Sequence, residues 1–188
     1  MIAIRLERPA DVTAREALLD LSFGRGRFDK TSERLREGRL PADKLAYVAV
    51  DGGRVVGTVR LWHVSTGAGR PALLLGPLAV AHDRRKRGLG AALMRRALRD
   101  ARRLGHQAVV LVGDAPYYER FGFSAAKTDR LRMPGPYETE RLLALELTEG
   151  ALEGAYGLIS ATGSVAPKPD FAAVIARAKG SSVVPRAA

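Results

Sequence analysis

Short apolar runs separated by turn residues divide this chain into predicted strands and helices. Residues of high strand propensity dominate six runs, at positions 2–6, 45–50, 54–64, 72–80, 107–112 and 141–147. Asp51-Gly52-Gly53 lies between the second and third runs and predicts a hairpin turn. Helices are predicted from a cap at Asp11 to about residue 21, over residues 31–36, and from residue 88 to about residue 104.

The run at 72–80 is almost continuously apolar, which predicts a strand buried on both faces. Pro77 lies inside this run. Proline removes a donor from a strand ladder and is tolerated mainly at edges and bulges. We therefore predict that the strand separates from its neighbour near Gly76 and Pro77, which leaves free backbone groups for an extended ligand.

A basic loop connects this strand to the third predicted helix. Residues 84–87 are all Arg or Lys, and Gly88 and Gly90 follow at the start of the helix. A helix N-terminus carries unpaired amides and the positive end of the helix dipole, and the glycines let an anion approach the backbone closely. The sequence therefore predicts a loop that binds phosphate.

The helix after this loop has one apolar arc and one basic arc. The apolar arc is predicted to pack on the sheet and contains Leu89, Leu93, Met94, Ala97, Ala101 and Leu104. The basic arc is predicted to face water and contains Arg95, Arg96, Arg99, Arg102 and Arg103.

The spacing of the loop differs from the P-loop and from the dinucleotide fingerprint, since it has neither Gly-Lys-Ser/Thr nor three spaced glycines. Arg85-x-x-Gly88-x-Gly90 instead resembles the acyl-CoA pyrophosphate loop of the GNAT superfamily of N-acetyltransferases. The segment from Tyr118 to Phe123 resembles a second hallmark of that family, a Tyr four residues before a Gly-Phe pair. Leu-Gly-Pro-Leu-Ala-Val at 75–80 and Tyr-Tyr-Glu-Arg-Phe-Gly-Phe at 117–123 resemble a group of small bacterial predicted acetyltransferases.

The resemblance covers roughly residues 2–147 and implies the GNAT acyl-CoA N-acyltransferase fold. This is an α/β (α+β) fold with a mixed, mostly antiparallel central sheet, splayed at the cofactor strand and flanked by helices. The implied activity is direct transfer of the acetyl group of acetyl-CoA to a primary amine. The implied cofactor-binding residues are Leu78, Ala79, Val80, Arg85, Lys86, Arg87, Gly88, Leu89, Gly90, Ala91 and Tyr118.

Tyr118 is the implied general acid, because a phenol can protonate the departing thiolate. The general base is less well defined, since the strand position that is often Glu in the family falls near Leu73 or Leu74. His63 is the candidate base from the residues, with a pKa suited to neutral pH, and His82 and Glu119 are placed less well. An ordered water, or an amine of low pKa, would serve without any side chain.

A further departure lies in the loop before Tyr118. The Asn that reaches pantetheine in many relatives corresponds to Leu111 here, and Asp114 is expected to cap a shortened helix.

Composition adds limits rather than a function. The chain has 188 residues, no cysteine and a formal net charge of +11, so disulfides and thiolate metal sites are excluded and no metal is expected. The N-terminus lacks an apolar leader, which favours a cytoplasmic protein without membrane association. Few aromatic residues accompany the basic ones, so we expect a solvated helix face and an anionic cofactor rather than nucleic acid.

The sequence predicts a domain over residues 1–149 and a partly flexible C-terminal extension over 150–188, with a short helix at 171–178. Loops near 23–28, 63–70 and 130–137 are expected to surround the acceptor, whose identity stays open. A free sheet edge or the extension would support a homodimer. Two alternatives remain: a non-catalytic acyl-CoA-binding protein, encouraged by the missing strand carboxylate, and a nucleic-acid-binding protein.

Overall fold

A computed structural model describes residues 1–67 and 69–167 of the chain. Over these residues the helices are α1 (Val12–Phe23), α2 (Leu89–Arg103) and α3 (Ala115–Tyr118). The strands are β1 (Ala3–Leu6), β2 (Ala46–Asp51), β3 (Arg54–Thr66), β4 (Pro71–Val80), β5 (Ala108–Val112), β6 (Leu131–Arg132), β7 (Leu142–Glu146) and β8 (Gly157–Ala161). Arg25–Asp29 and Thr31–Leu35 form 3-10 turns between α1 and β2. No described helix is long and apolar enough to cross a membrane.

The strands form one mixed sheet in the order β1-β2-β3-β4-β5-β7. Neighbours along this path are antiparallel except β4 and β5, which are parallel. β8 pairs with the end of β3, and β6 pairs with β8. The mixed, mostly antiparallel sheet agrees with the fold that the resemblance implies.

Apolar side chains pack on both faces of the sheet. Leu73 and Leu75 belong to a cluster that also includes residues of α1 and α2, whereas Leu74 belongs to a second cluster with Trp62 and Ile159. Alternate residues of a strand point to opposite faces, so β4 contributes to both clusters. The two positions where the family's general base was expected are both leucine, Leu73 and Leu74, and both are buried. Neither position therefore supplies a carboxylate to the cavity.

β4 separates from β5 along its second half, as the sequence predicts. The two strands pair only at Leu73 and Leu74, so the β5-facing edge of residues 75–80 has no strand partner among the described residues. The register with β3 also shifts here, between Val59 opposite Leu78 and Leu61 opposite Leu75. Trp62 Nε1 donates to the carbonyl oxygen of Gly76 at 2.6 Å, which fixes the strand where the separation begins.

The predicted apolar arc of α2 is buried apart from Leu104, which is 37% exposed. Asp100 lies on the same face, a feature that the hydrophobic pattern did not predict. Its carboxylate accepts from the Tyr47 hydroxyl at 2.8 Å and from Arg96 Nε at 2.6 Å. Burial alone raises the pKa of Asp100, but hydrogen bonds from Arg96 and Tyr47 outweigh it and leave the pKa below its ordinary value. Part of the arginine face is therefore engaged within the molecule.

Asp100→Asn is expected to lower the free energy of unfolding by about 1–3 kcal/mol, because a buried charged acceptor of hydrogen bonds from Arg96 and Tyr47 becomes a neutral amide. The folded-state pKa is lowered, so the stabilisation is present above the ordinary carboxyl pKa and is lost as pH falls through the folded-state value. Urea unfolding at neutral and acidic pH measures it, with exposed Asp43→Asn as the control. Equal stability at neutral pH, or a difference that does not shrink in acid, would contradict this account.

Two expectations need correction, and a third is not tested. β7 is not the last strand, since β8 follows it and Ile159 is fully buried; the folded unit thus extends past the predicted boundary at residue 149. Asp11 precedes α1 but makes no side-chain cap, because its carboxylate accepts from the Arg8 amide and from Arg5. The predicted helix at 171–178 lies outside the described residues, as does the rest of the extension from residue 168.

Candidate active site

A cavity of about 750 Å³ lies where β4 separates from β5. The second half of β4, the basic loop and the first turn of α2 form one wall. The end of β5 and α3 form a second wall, and residues between Ser22 and Arg36 form a third. Eight of the lining side chains are Arg or Lys and two are acidic, which favours an anionic ligand.

Nearly all the predicted cofactor-binding residues meet in this cavity. It is lined by Leu78, Ala79, Val80, Arg85, Lys86, Gly88, Leu89, Gly90, Ala91 and Tyr118. Arg87 is exposed and is not part of the lining. The roles of these residues in binding stay predictions.

The basic loop presents free backbone amides to the cavity. Lys86 and Gly88 have φ angles of 60° and 78°, and Gly88 is the N-cap residue of α2 without a side-chain cap. The first backbone bond of the helix joins the Ala92 amide to the Gly88 carbonyl at 2.9 Å, so the amides of residues 89–91 have no partner in the helix. A Cβ at Gly88 would meet nothing within 4 Å, so the space before these amides is open. The loop therefore fits a phosphate group.

The edge of β4 next to this loop is only partly free. Arg85 Nε donates to the carbonyl oxygen of Val80 at 3.1 Å. Val80 is one of the predicted cofactor-binding residues, and its carbonyl oxygen keeps one further lone pair for a ligand.

Tyr118 lies in the second wall, at the end of α3. Its ring packs edge-on against Tyr117 at 5.0 Å and against Phe123 at 6.0 Å between ring centroids. Burial, mainly, raises the pKa of Tyr118 to about 12. The hydroxyl thus keeps its proton at neutral pH and is available as a donor.

Gly113 makes room for the Tyr118 ring, and the sequence analysis did not single it out. A Cβ at residue 113 would lie 2.9 Å from Tyr118 Cδ2 and closer still to Cε2. Real Cβ atoms do not approach neighbours so closely, so any larger residue here displaces the ring. This role is visible only from the close approach of the Tyr118 ring to Gly113 in the structure.

None of the three predicted bases lines the cavity. His63 pairs with Leu73 on the other half of β4, and its ring lies 5.4 Å from that of His106. His82 and Glu119 are exposed side chains outside the lining. The strand thus places His63 outside the cavity lining, and its role as the base stays a prediction without support from this placement.

The third wall contains residues from one of the three loops that were predicted to surround the acceptor. Phe23 and Arg27 belong to one of the predicted acceptor loops, but the described residues of 63–70 and 130–137 do not line the cavity. The second of these loops instead packs behind the wall, where Arg34 Nη1 donates to the Pro134 carbonyl oxygen at 2.8 Å and Thr31 Oγ1 donates to that of Pro136. Of the three predicted acceptor loops, only the first thus contributes described residues to the cavity lining.

Arg36 is the most buried basic group that lines the third wall beside β4. It is 8% exposed, and Nη2 donates to Glu33 Oε2 at 2.7 Å and to Ser32 Oγ at 3.4 Å. Nε is buried and has no partner among the described residues. Burial lowers the pKa of Arg36, Glu33 opposes this shift, and the nearby charge of Arg27 adds to it.

The described residues contain no group of three or more His, Asp or Glu side chains placed to hold a metal ion.

Comparison with known proteins identifies the family of this chain. The model of the acetyltransferase (GNAT) family matches residues 14–123. The chain belongs to the GNAT family of acetyltransferases. The resemblance inferred from the two motifs is thereby confirmed, as is the GNAT fold.

Two GNAT proteins illustrate the likeness. The uncharacterized N-acetyltransferase YhbS of Escherichia coli is 34% identical over 158 residues, which cover 83% of this chain and 93% of YhbS. A crystal structure of YhbS in complex with CoA superposes with a TM-score of 0.73 over 86% of this chain and 89% of that chain. A GNAT acetyltransferase from Brucella melitensis in complex with acetyl-CoA is 27% identical, with a TM-score of 0.60 over 91% and 98% of the two chains.

Proposed function

We propose that this GNAT protein transfers the acetyl group of acetyl-CoA to a primary amine by direct attack in a ternary complex. The observation that carries the proposal is that the first residues of α2, the half of β4 without a described partner on its β5 side, and Tyr118 all line one cavity. The complexes of two relatives with CoA and acetyl-CoA support the same cosubstrate.

Each part of the cavity has a role in this reaction. The Arg84 and Arg85 amides already donate to the carbonyl oxygens of Ala81 and His82. The amides from Lys86 to Ala91 hold the pyrophosphate, and the edge of β4 pairs with the pantetheine arm. The thioester then lies near Tyr118. A neutral amine attacks the carbonyl carbon, a C–N bond forms, the C–S bond breaks, and Tyr118 gives its proton to the departing thiolate.

The proton released by the amine requires an acceptor. Among the described lining residues the acidic groups are Glu33, which is paired with Arg36, and Asp114, which is exposed. We therefore assign the proton to water in the cavity. Since only the neutral amine reacts, the transfer rate should rise with pH up to the pKa of the amine.

Calorimetric titration with acetyl-CoA and CoA, followed by thiol release with a panel of primary amines, tests the proposal. Binding followed by amine-dependent thiol release supports it. Binding without release for any amine favours the non-catalytic acyl-CoA-binding alternative, which the buried Leu73 and Leu74 at the position of the family carboxylate encourage. No binding by the folded protein would overturn both.

Gly113→Ala is expected to reduce transfer at least about tenfold, because a small displacement of a positioned catalytic group is costly. The backbone of Gly113 does not have a positive φ, so alanine strains mainly the contact with the Tyr118 ring, with a lesser close contact at 3.1 Å to Leu111 Cδ1. Thiol release from Gly113→Ala, Tyr118→Phe and the double variant measures the coupling. Losses that multiply in the double variant would show that Gly113 does not act through Tyr118.

A further inference from the structure

Arg36 presents unused donors at a buried position in the cavity wall. Its hydrogen bonds to described residues all come from Nη2, while Nε is buried without a partner. A buried guanidinium that lacks part of its hydrogen bonding is costly unless a ligand supplies an acceptor. Nη1 also makes no hydrogen bond to a described residue and, unlike Nε, is not sealed from solvent, so a ligand in the cavity can reach Nη1.

Arg36 meets β4 near the middle of the strand, where its cavity-lining half begins and away from the phosphate loop. Its Nη1 is 3.4 Å from the position that a Cβ on Gly76 would occupy. Gly76 precedes Val80 by four residues, or about 13 Å at 3.3 Å per strand residue. The phosphates of CoA, held at the loop, are thus too distant to be the partner of Arg36, which lies where the acceptor must enter.

The charge around Arg36 favours an anion. Arg27 is close enough to lower the pKa of Arg36, and Arg27 itself is held by Glu16 and Asp20 behind the wall. Lys30 lines the same wall, with its ammonium over the Phe23 ring at 4.9 Å. Glu33 is the one acidic lining residue of the described part of this wall, and it already bonds to Nη2 of Arg36.

We propose that the acceptor is a small amine that also carries a carboxylate, and that Arg36 binds this carboxylate. The proposal rests on the transferase function proposed above. Nη1 can donate to one oxygen of this carboxylate, and Nη2 can donate to the other once its 3.4 Å bond to Ser32 is released, so that the guanidinium fork holds the carboxylate in one orientation. The carboxylate would fix the acceptor so that its amine points to the thioester near Tyr118.

Matched pairs of probes test this site in the full-length protein. β-Alanine and γ-aminobutyrate are each compared with their carboxamides and with O-phosphoethanolamine, and thiol release gives kcat and KM. A carboxylate favours the protonated form of a nearby amine, so an unselective enzyme would acetylate the carboxamide faster. We expect the amino acids to be preferred, by about 10- to 100-fold in kcat/KM, the range for hydrogen bonds to a charged group.

Arg36→Gln should remove this preference by raising KM for the amino acids, with the KM for acetyl-CoA unchanged. Arg36→Lys keeps the charge without the fork and should restore part of it. Glu33→Gln is the matched control, since it removes the competing carboxylate and should preserve or increase the preference. Equal losses in Arg36→Gln and Glu33→Gln, or losses shared equally by acids and amides, would mean that the pair is only structural and would overturn the inference.

Calorimetry separates failure of this site from failure of the transferase function. N-Acetyl-β-alanine and its carboxamide are titrated into the CoA-loaded protein and into the Arg36→Gln variant. Binding of the acid that depends on Arg36, without turnover of any amine, supports the carboxylate site and overturns the transferase. Turnover that favours the carboxamide or O-phosphoethanolamine supports the transferase and overturns the carboxylate site. Neither binding nor turnover overturns both.

Discussion

Gly88→Glu is expected to weaken the binding of acetyl-CoA at least about 100-fold. The backbone at residue 88 faces open space in the cavity, directly before the free amides of α2. A carboxylate there would occupy the pyrophosphate position, and two negative charges about 4 Å apart repel by several kcal/mol near a protein surface. Isothermal titration calorimetry of the native and variant proteins measures the change.

Gly88→Gln is the matched control for this variant. Gly88 has a φ of 78°, so either side chain strains the backbone by a similar amount, and the two differ only in charge. We expect Gln to weaken binding less than Glu, and high salt to reduce the difference. If both variants bound acetyl-CoA like the native protein, the phosphate-binding role of the loop would be wrong.

Tyr118→Phe is expected to lower kcat by about 10²–10³-fold while leaving the affinity for acetyl-CoA within about twofold of native, since general acid catalysis contributes in this range. The ring keeps its packing against Tyr117 and Phe123, and only the hydroxyl is lost. Thiol release at saturating amine measures kcat, and calorimetry measures affinity. A silent variant would favour the non-catalytic alternative.

The pH profile of the native protein provides an independent check of Tyr118. The raised pKa, about 12, means that the protonated phenol persists well into alkaline solution. The rate should therefore rise as the amine loses its proton and should not fall again because of Tyr118 below about pH 10. Tyr117→Phe is the comparison variant. We expect it to reduce kcat less than Tyr118→Phe does, because the Tyr117 hydroxyl lies beside Gly90 at the start of α2.

The cofactor end of the site could be predicted from the sequence because its parts are close along the chain. The apolar strand, the basic loop and the glycines of the helix start occupy one stretch, and local rules of strand, turn and helix N-terminus describe all of it. Pro77 even indicated where β4 would separate.

The acceptor end could not be predicted in the same way, because distant segments build it. Arg36 meets β4 at Gly76, forty residues further along the chain, and no spacing rule describes that contact. His63 has a side chain suited to a base, but its strand places it next to His106 and outside the cavity lining. β8 was missed because its residues follow a segment rich in Gly and Ala, and its partners β3 and β6 lie elsewhere in the chain.

The division of the cavity between two stretches of chain has a consequence for how such proteins diversify. Residues 71–91 shape the end that would hold the cosubstrate, whereas residues 22–36 line the other end without belonging to the sheet. Changes in the second stretch can alter which amine is chosen while leaving the shared cosubstrate untouched. Exchanging residues 22–36 between relatives should therefore transfer the preference for one acceptor amine over another.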